Sequence, residues 1–394
     1  MAKHQVVIVG GGFGGVKSAL TLAENPLFDV TLIHDQPCLS YFPTMFRTAT
    51  GGSKKLSAIP LTEIFSRVPI QLVQDSLTGL DRKAQFITTS SNRTFHYDAL
   101  ILALGVKTNY FGIEGLDKFS FGIKTVEDAE KFKNHLHQQL IDDKKPDLNY
   151  VIIGGGPTGV ELAGALPSYL NKLLKQHNIT HKQFHIDLVE AAPRLLPRSP
   201  KDLSRNVARH LKRLGIKLYL KTTVKAETAD ELVINGKSIY SHTVIWTAGV
   251  TNNPFFATNS FQLNHGKVRV DQFLQAESGI YVIGDNADTP YSGLAQTAIY
   301  DGLYVARNLI RLANNQELKP YIAKKPIYVF PAGPHWAAVL WGPVKVYGKL
   351  GAILRKSADL VGFHDYEPLK LAVERMMSED ENEESCPICA SNLS

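Results

Sequence analysis

Two stretches of the sequence, Val6–Gly15 (VVIVGGGFGG) and Tyr150–Gly159 (YVIIGGGPTG), repeat one pattern. Each is an apolar run rich in β-branched residues that ends in G-x-G-x-x-G and leads into a helical pattern. The first glycine of this motif makes the tight turn, the second lets a pyrophosphate approach the backbone, and the third lets helix pack on strand. Phosphates then lie at a helix N-terminus, where free N–H groups and the dipole favour anions. One copy could be an ordinary turn, but two predict two bound dinucleotides and electron transfer between them.

The order of the two motifs predicts the domain organisation. Apolar strands alternate with helical segments along the 394 residues, which is typical of α/β folds with parallel sheets covered on both faces. The second motif comes too late to complete the first domain, so it predicts a nested one. We expect two Rossmann-like dinucleotide-binding domains, at residues 1–115 with 264–319 and at residues 116–263. A C-terminal membrane-associating, dimerisation or capping domain (residues 320–377) and an acidic cysteine-containing tail (residues 378–394) follow.

Composition excludes several classes of protein. No stretch is long and apolar enough to span a bilayer, and residues 1–4 lead directly into a strand, so no signal peptide is expected. Only three cysteines occur, which argues against a disulfide framework and favours the cytoplasm. The net charge is +6, but no dense basic stripe with interleaved aromatic residues suggests a nucleic acid partner. The histidines show no paired ligand spacing, so we expect no metal site.

Ten segments spread over roughly residues 5–312 carry a family resemblance. They are Val6–Gly15, Phe42–Pro43, Ala49–Gly51, Leu104–Gly105, Asn109–Ile113, Thr125–Ala129, Gly154–Gly164, Trp246–Val250, Gly284–Ala287 and Ala295–Ala298. Together they resemble the type II NADH dehydrogenases, which are NADH:quinone oxidoreductases, and the related apoptosis-inducing-factor-like quinone reductases. Both belong to the FAD-dependent pyridine nucleotide-disulfide oxidoreductase superfamily. The resemblance implies a flavoprotein that transfers hydride from NADH to FAD and two electrons to a membrane quinone without ion pumping, as in a respiratory chain.

The resemblance also implies which residues bind the cofactors. The FAD set is Gly10, Gly12, Phe13, Gly14, Gly15, Pro43, Thr50, Ala103, Gly105, Gly284, Asp285, Ala295 and Gln296. The NADH set is Gly154, Gly156, Pro157, Thr158, Gly159, Glu190, Ala248 and Gly249. Asp285 would accept hydrogen bonds from the FAD ribityl chain, or it could be a turn cap. The helix beginning at Ala295 would direct its N-terminus at the flavin, where its dipole stabilises negative charge.

An acidic residue at the end of the second strand of each domain would bind adenosine ribose hydroxyls. Glu190 occupies that place in the second domain, and its charge would repel a 2′-phosphate, which favours NADH over NADPH. Arg194 and Arg198 follow closely and would weaken this preference. In the first domain the acid is displaced by one position, because His34 stands where the family has the acid and Asp35 follows it. Either residue is a candidate for the FAD ribose.

Three residues are the candidates for catalysis. Glu161 follows the second glycine motif on the helix face that is turned toward the nicotinamide in relatives, and burial there would raise its pKa and suit it to proton transfer. The alternative is a buried carboxyl that serves packing. Gln296 and Tyr300 would lie near the quinone, although Gln296 could be a surface residue. Tyr300 replaces the second glutamine of the family motif A-Q-x-A-x-Q, which weakens the quinone prediction.

The C-terminal region is the candidate membrane contact. Apolar residues fall near helical spacing at Tyr347, Leu350, Ile353, Leu354, Ala358 and Val361, with basic residues beside them at Lys345, Lys349, Arg355 and Lys356. Such a helix can lie on an anionic membrane surface, here the inner face of the cell membrane. The alternative is a domain-capping or dimer-forming segment, and a homodimer is expected. Trp336 and Trp341 are membrane anchors or core residues.

The cysteine pattern and the charge leave two rival functions open. Disulfide reductases of this superfamily need a cysteine pair soon after the first glycine motif, and Cys38 has no neighbour there. Cys386 and Cys389 form a C-x-x-C in the tail, either without an essential role or as a redox or metal pair. The first rival is a soluble NADH-dependent reductase of a small electron-carrier protein, and the second is an NADH-sensing flavoprotein interaction module.

Overall fold

The computed structural model describes residues 3–141, 149–179 and 183–378. Strands (β) and helices (α) are numbered along the chain. The acidic tail with Cys386 and Cys389 lies outside the described residues. Among the helices of these three ranges, none combines the length and the apolar composition that crossing a bilayer requires.

The first sheet is built around the strand that precedes the first glycine motif. Its six strands lie side by side in the order β21 (Gln275–Glu277), β22 (Ile280–Val282), β9 (Ala99–Leu102), β1 (His4–Val9), β2 (Phe28–His34) and β5 (Gln71–Gln74). All neighbours are parallel except β21 and β22. β1 lies in the interior of the sheet with both faces covered, so its buried residues form a continuous apolar run.

The second sheet repeats this arrangement with fewer strands. It consists of β13 (Lys217–Leu220), β12 (His185–Glu190), β11 (Asn149–Ile153) and β17 (Thr243–Trp246), in that order and all parallel. These strands lie in the sequence between β9 and β21. The second sheet is therefore nested within the first, and the predicted α/β fold class is confirmed. The predicted residue boundaries of the domains stay a prediction.

The remaining strands form small antiparallel sheets. They are β3 (Cys38–Ser40) with β4 (Ala58–Pro60), β6 (Leu77–Asp81) with β7 (Phe86–Thr89) and β8 (Thr94–His96), β10 (Val106–Thr108) with β18 (Val250–Asn252), β14 (Val224–Glu227) with β15 (Glu231–Ile234) and β16 (Lys237–Tyr240), β19 (Leu263–Asn264) with β20 (Lys267–Val268), and β23 (Tyr328–Pro331) with β24 (Ala337–Trp341) and β25 (Val344–Gly348). The β10–β18 pair joins the two places where the chain passes between the parallel sheets.

Helices cover the sheets and close the C-terminal region. They are α1 (Phe13–Ala23), α2 (Met45–Ala49), α3 (Leu61–Ile64), α4 (Leu116–Phe119), α5 (Val126–Ile141), α6 (Pro157–Gln176), α7 (Lys201–Arg213), α8 (Pro254–Thr258), α9 (Ala295–Ala313), α10 (Lys349–His364) and α11 (Leu369–Met377). Short 3₁₀ turns lie at Phe42–Thr44, Lys54–Leu56 and Gly284–Asn286. The helix predicted from the apolar spacing in the C-terminal region is present as α10, which begins at Lys349, so Tyr347 lies in β25 before it.

Helix α1 crosses α9 at glycines. A Cβ on Gly302 would lie 2.3 Å from the carbonyl oxygen of Gly14, and one on Gly14 would lie 2.9 Å from that of Ala298. The hydroxyl of Ser18 donates to the Gly14 carbonyl at 2.9 Å within the same contact. Since only glycine permits this approach, the contact fixes the start of α1 against the start of α9.

The C-terminal region packs on both parallel-sheet units. The Trp336 ring stacks on His210 of α7 at 4.2 Å between centroids, and Gly164 of α6 lies against the backbone of Ala332. At the other end, the Tyr366 hydroxyl donates to the Phe13 carbonyl at 3.2 Å. Trp336 is therefore a packing residue, whereas the side chain of Trp341 is 61% exposed.

Candidate functional site

The two glycine motifs adopt the same backbone geometry. Gly10 and Gly154 both have φ +113°, a backbone conformation that residues with a side chain rarely adopt. A Cβ on Gly15 would lie 1.9 Å from the Gly10 carbonyl oxygen, and one on Gly159 would lie 1.8 Å from that of Gly154. The first and third glycines thus have the turn and packing roles that the sequence predicted for them.

The middle glycine of each motif has open space beside it. A Cβ on Gly12 or on Gly156 would have no other heavy atom within 4 Å. Each precedes a helix, α1 or α6, whose first turn carries no acidic side chain. Free backbone N–H groups at a helix N-terminus, without a competing carboxylate, suit a pyrophosphate. Both motifs therefore fit a dinucleotide. Phe13 and Pro157 begin these helices, and Thr158 lies in the first turn of the second.

The residues at the ends of β2 and β12 differ. The Glu190 carboxylate accepts backbone hydrogen bonds from Gly155 and Ala192, both at 2.6 Å, so it is fixed beside the second glycine turn. His34 instead packs its ring against Gly11, where a Cβ would lie 2.4 Å from His34 Cδ2. Burial lowers the pKa of His34, although Asp35 lies 3.3 Å from its Nδ1. A neutral His34 beside Asp35 leaves the first motif without a carboxylate in the place that Glu190 occupies in the second.

Arg194 is engaged within its own loop. Its guanidinium donates to the carbonyl oxygens of Ser199 at 2.6 Å and Leu196 at 3.3 Å, and also to that of Pro197. It is thereby held in the loop that follows β12. Arg198 is exposed.

Asp285 lies in a buried polar group at the end of β22. Burial raises its pKa, against the opposing effect of Lys267 and Lys124. Lys124 lies just before α5, in the segment where Phe121 pairs with Ile245 of β17. Its Nζ also donates to the Val106 carbonyl. Its pKa is lowered by burial to about 8. A carboxylate between two lysines in a poorly hydrated place suits a ligand rich in hydroxyl groups.

Two site residues beside Asp285, Asp301 and Asn286, were not predicted from the sequence. The fully buried Asp301 accepts from the Gly284 backbone N–H at 3.0 Å and from the Tyr321 hydroxyl at 2.7 Å, and burial raises its pKa to about 6. The Asn286 side chain accepts a hydrogen bond from the Gly105 N–H at 2.9 Å and donates one to the Gly105 carbonyl at 2.7 Å. A lone carboxylate on the apolar face of α9 was the signal for Asp301. For Asn286, which joins segments 181 residues apart, the sequence offers no signal.

The N-terminus of α9 is tied to the C-terminal region. The Gln296 amide donates to the Ile327 carbonyl at 2.7 Å and accepts from the Ile327 N–H at 3.1 Å. Tyr300 is half-buried, and its ring centre lies 5.8 Å from that of Tyr321. Gln296 therefore fixes the position of the helix start, while Ala295 precedes it at the first helical position.

Glu161 lies in a buried group of charges where three parts of the chain meet. Its neighbours are Arg47 from α2 and Arg355 and Asp359 from α10. Asp359 pairs with Arg47 at 3.1 Å and with Arg355 at 3.0 Å. Burial raises the pKa of Glu161 to about 8, in the direction expected from the sequence, because loss of hydration outweighs the two arginines.

Residues 43–50 border the same charged group. Arg355 also donates to the Pro43 carbonyl. The Thr50 hydroxyl donates to the Phe46 carbonyl at 2.8 Å within the same helix, so it serves the end of α2.

Helix α10 has the reverse of a usual amphipathic orientation. Its buried face carries Gly351, Arg355, Asp359 and Phe363, whereas Leu350, Ile353 and Val361 are 58%, 61% and 65% exposed. The prediction that Arg355 supplies charge to a membrane surface is wrong, because this side chain is only 7% exposed and is paired with Asp359. Lys345 pairs with Asp202 at 2.6 Å, while Lys349 and Lys356 are exposed.

Neither thiol nor metal chemistry is evident in the described ranges. Cys38 lies in β3 without a second cysteine beside it, and burial raises its pKa, which disfavours the reactive thiolate. No group of three or more potential metal ligands is found in this part of the chain.

Two glycine turns of equal geometry at the ends of two parallel sheets define a two-dinucleotide protein of the Rossmann type. The chain belongs to the pyridine nucleotide-disulphide oxidoreductase family, which it matches over residues 4–302. This confirms the superfamily predicted from the motifs.

The individual relatives share a quarter or less of their residues with this chain. A type II NADH:quinone oxidoreductase of Staphylococcus saprophyticus is 25% identical over 384 residues, which cover 91% of this chain and 94% of the relative. The structure of NDH2 from Plasmodium falciparum in complex with NADH is similar with a TM-score of 0.86 at 19% identity, covering 97% of this chain and 99% of that one. The sulfide:quinone oxidoreductase of Aquifex aeolicus gives 0.77 at 21% identity, covering 91% and 90%. These two structures establish a likeness of fold.

Replacing Glu161 with glutamine is expected to flatten the pH dependence of stability. A carboxyl whose pKa rises from 4.5 to about 8 on folding contributes stability below pH 4.5, and this contribution is lost as the pH rises through about 8. The melting temperature of the wild type should therefore fall more between pH 5 and pH 9 than that of Glu161→Gln. Parallel curves from thermal unfolding monitored by circular dichroism would contradict the assigned pKa.

Proposed function

We propose that the chain is an FAD-dependent enzyme that oxidises NADH and reduces a membrane quinone without pumping ions. The single observation that carries the proposal is the pair of glycine turns with matching geometry and open middle positions. The relatives named as type II NADH:quinone oxidoreductases, similar over nine-tenths of the chain, support the choice of donor and acceptor.

In this proposal FAD occupies the first motif and NADH the second. Gly10 to Gly15 would hold the FAD pyrophosphate, with Ala103 and Gly105 lining the neighbouring strand end and Asp285 accepting from the ribityl hydroxyls. Gly154 to Gly159 would hold the NADH pyrophosphate, with Ala248 and Gly249 beside it. Asn286 and Asp301 would position Gly105 and Gly284, since they bond to those backbones.

Bound FAD supplies the redox chemistry, by accepting hydride from the nicotinamide and passing two electrons to the acceptor. The residues of the chain orient the reactants and manage charge. The N-terminus of α9, fixed by Gln296, would stabilise negative charge through its dipole. Glu161, with a pKa of about 8, can hold or release a proton at its carboxyl oxygen near neutral pH. Tyr300 would contact the quinone.

The second site should prefer NADH to NADPH. Glu190 is fixed by two backbone N–H groups beside the place for the adenosine ribose, and Arg194 is bonded to its own loop. A 2′-phosphate there would meet a carboxylate at close range, which costs about 4 kcal/mol per charge pair at 4 Å and an effective dielectric of about 20. Arg198, which is exposed, is a cationic group that could offset this repulsion in part.

The exposed face of α10 is the proposed contact with the inner face of the cell membrane. Leu350, Ile353 and Val361 are exposed together with Lys349 and Lys356, while Arg355 and Asp359 are buried. An apolar stripe with basic residues beside it suits an anionic lipid surface, where each basic residue adds about 1 kcal/mol. A homodimer through this face is the alternative that the experiment below distinguishes.

Valine substitutions at the two middle glycines should separate the two sites. Gly12 and Gly156 have ordinary negative φ values and open space around them, so valine fits the fold but occupies the space proposed for a pyrophosphate. Gly12→Val should yield folded protein without flavin colour. Gly156→Val should stay yellow but bind NADH at least about tenfold more weakly. Equal loss of flavin from both variants, measured by absorption, would contradict the assignment.

The acceptor is tested by anaerobic spectroscopy of the purified holoenzyme. NADH should bleach the visible flavin absorption, and a soluble short-tail quinone added afterwards should restore it, with ping-pong steady-state kinetics. Flavin that NADH reduces but quinone does not reoxidise would rule out the quinone. Reoxidation by a small ferredoxin instead would favour the reductase of a carrier protein, and slow turnover with every acceptor would favour the sensor.

Removing the apolar stripe of α10 should abolish membrane binding. The wild type is expected to float with phosphatidylglycerol vesicles, and a variant with serine at 350, 353 and 361 should float at least about tenfold less. Tyr240→Ser with Leu312→Ser, which changes exposed residues of β16 and α9, is the matched control and should float like the wild type. If the triple variant floats normally but changes from dimer to monomer in gel filtration, the face is a dimer interface.

A further inference from the structure

Phe111 has an unusual combination of strain and exposure. Its backbone φ is +54°, in the left-handed region that a bulky aromatic residue rarely adopts, and its side chain is 62% exposed. The residue follows β10, the strand through which the chain leaves the first sheet. An aromatic ring held in solvent by a strained backbone gains little for stability, so it points to a ligand.

The loop that carries Phe111 is firmly held. The Asn109 side chain accepts from the Phe111 N–H at 2.8 Å, and the Asn109 carbonyl accepts from the Trp246 indole at 3.0 Å. The Asn109 N–H donates to the Gly249 carbonyl at 3.1 Å. The Phe111 ring meets Trp246 edge-on, with 6.1 Å between centroids. The strained conformation is thus imposed by the end of β17.

The ring lies at the rim of the second glycine motif. A Cβ on Gly249 would lie 2.5 Å from the Asn109 carbonyl oxygen and 2.6 Å from the ring of Phe111, so only glycine lets this loop and its ring lie so close to the end of β17. The preceding residue, Ala248, has its Cα 2.9 Å from the Cβ position of Gly154. Phe111, Gly249, Ala248 and Gly154 therefore form a continuous rim.

The strand order decides which end of a dinucleotide would meet this ring. In the second sheet β12 and β17 flank β11 on opposite sides. With the pyrophosphate at the end of β11, the two nucleoside halves extend over the neighbouring strands. Glu190 at the end of β12 marks the adenosine side. Phe111 lies at the end of β17, on the opposite side, where the nicotinamide half must lie.

We propose that Phe111 stacks on the nicotinamide half of bound NADH and orients it toward the first domain. This inference rests on the proposed function, which it deepens by naming a binding residue outside both glycine motifs. An aromatic face suits a flat heterocycle, and a ring fixed by Trp246 and Gly249 needs no reordering when the ligand binds.

The experiment measures ligand affinity under anaerobic conditions in the flavin-containing protein, whose flavin is reduced beforehand with dithionite so that NADH binds without further reaction. Phe111→Ala should weaken NADH binding by about tenfold, the loss expected for one aromatic stack, while Phe111→Tyr retains the wild-type affinity. Reduced nicotinamide mononucleotide should lose affinity by the same factor. ADP, which carries only the adenosine half, should bind as before. Tyr240→Ala, which removes an aromatic ring of similar exposure from β16, should change none of these values.

Two results would overturn the inference, namely an unchanged dissociation constant for NADH in Phe111→Ala, or an equal loss of affinity for ADP. Phe111→Gly relieves the strained φ and should unfold at the wild-type temperature or above while losing NADH affinity by the same factor as Phe111→Ala, which excludes misfolding as the cause of weak binding. Wild-type flavin that NADH reduces but quinone does not reoxidise would contradict the acceptor and leave this inference intact. Wild-type protein that binds no NADH would contradict the proposed function itself.

Discussion

The structure depends on backbone approaches that exclude any side chain. Gly15 and Gly159 place the starts of α1 and α6 against the turns that precede them, and Gly302 brings α9 onto α1. These contacts put three helix N-termini at the carboxyl ends of the parallel strands, where α/β folds bind ligands. A single methyl group at any of these positions would displace a helix. The open positions at Gly12 and Gly156 then lie at the ends of helices that are held rigidly.

Three buried carboxyls surround the candidate site. Asp285, Asp301 and Glu161 all lose water on folding, and their pKa values rise although basic side chains lie nearby. The charged neighbours of Glu161 come from distant parts of the chain, namely α2 and α10. A buried carboxyl lowers the stability of the fold unless a ligand or hydrogen-bond partners surround it. Carboxyls with raised pKa values are therefore typical of functional sites. The C-terminal helices contribute directly, since Arg355 and Asp359 complete the surroundings of Glu161.

Much of the fold followed from local patterns, because apolar strands and G-x-G-x-x-G turns specify strand–turn–helix units without help from the rest of the chain. The helix predicted to begin at Ala295 is observed as α9. The charged residues of α10 are the instructive exception. Helical spacing identified an apolar stripe, but it did not indicate that Arg355 and Asp359 pair inward while Leu350 and Ile353 face outward.

The sequence by itself determined two nested α/β units and the places of the two glycine turns, since these depend on residues adjacent in the chain. Only the tertiary structure decided which side chains surround them. Asn286 meets Gly105 across 181 residues, and Phe111 reaches the second motif through Gly249. The physical reason is that a hydrogen bond or a ring contact depends on distance in space. Composition and spacing carry no information on which distant segments the packing of two sheets brings together.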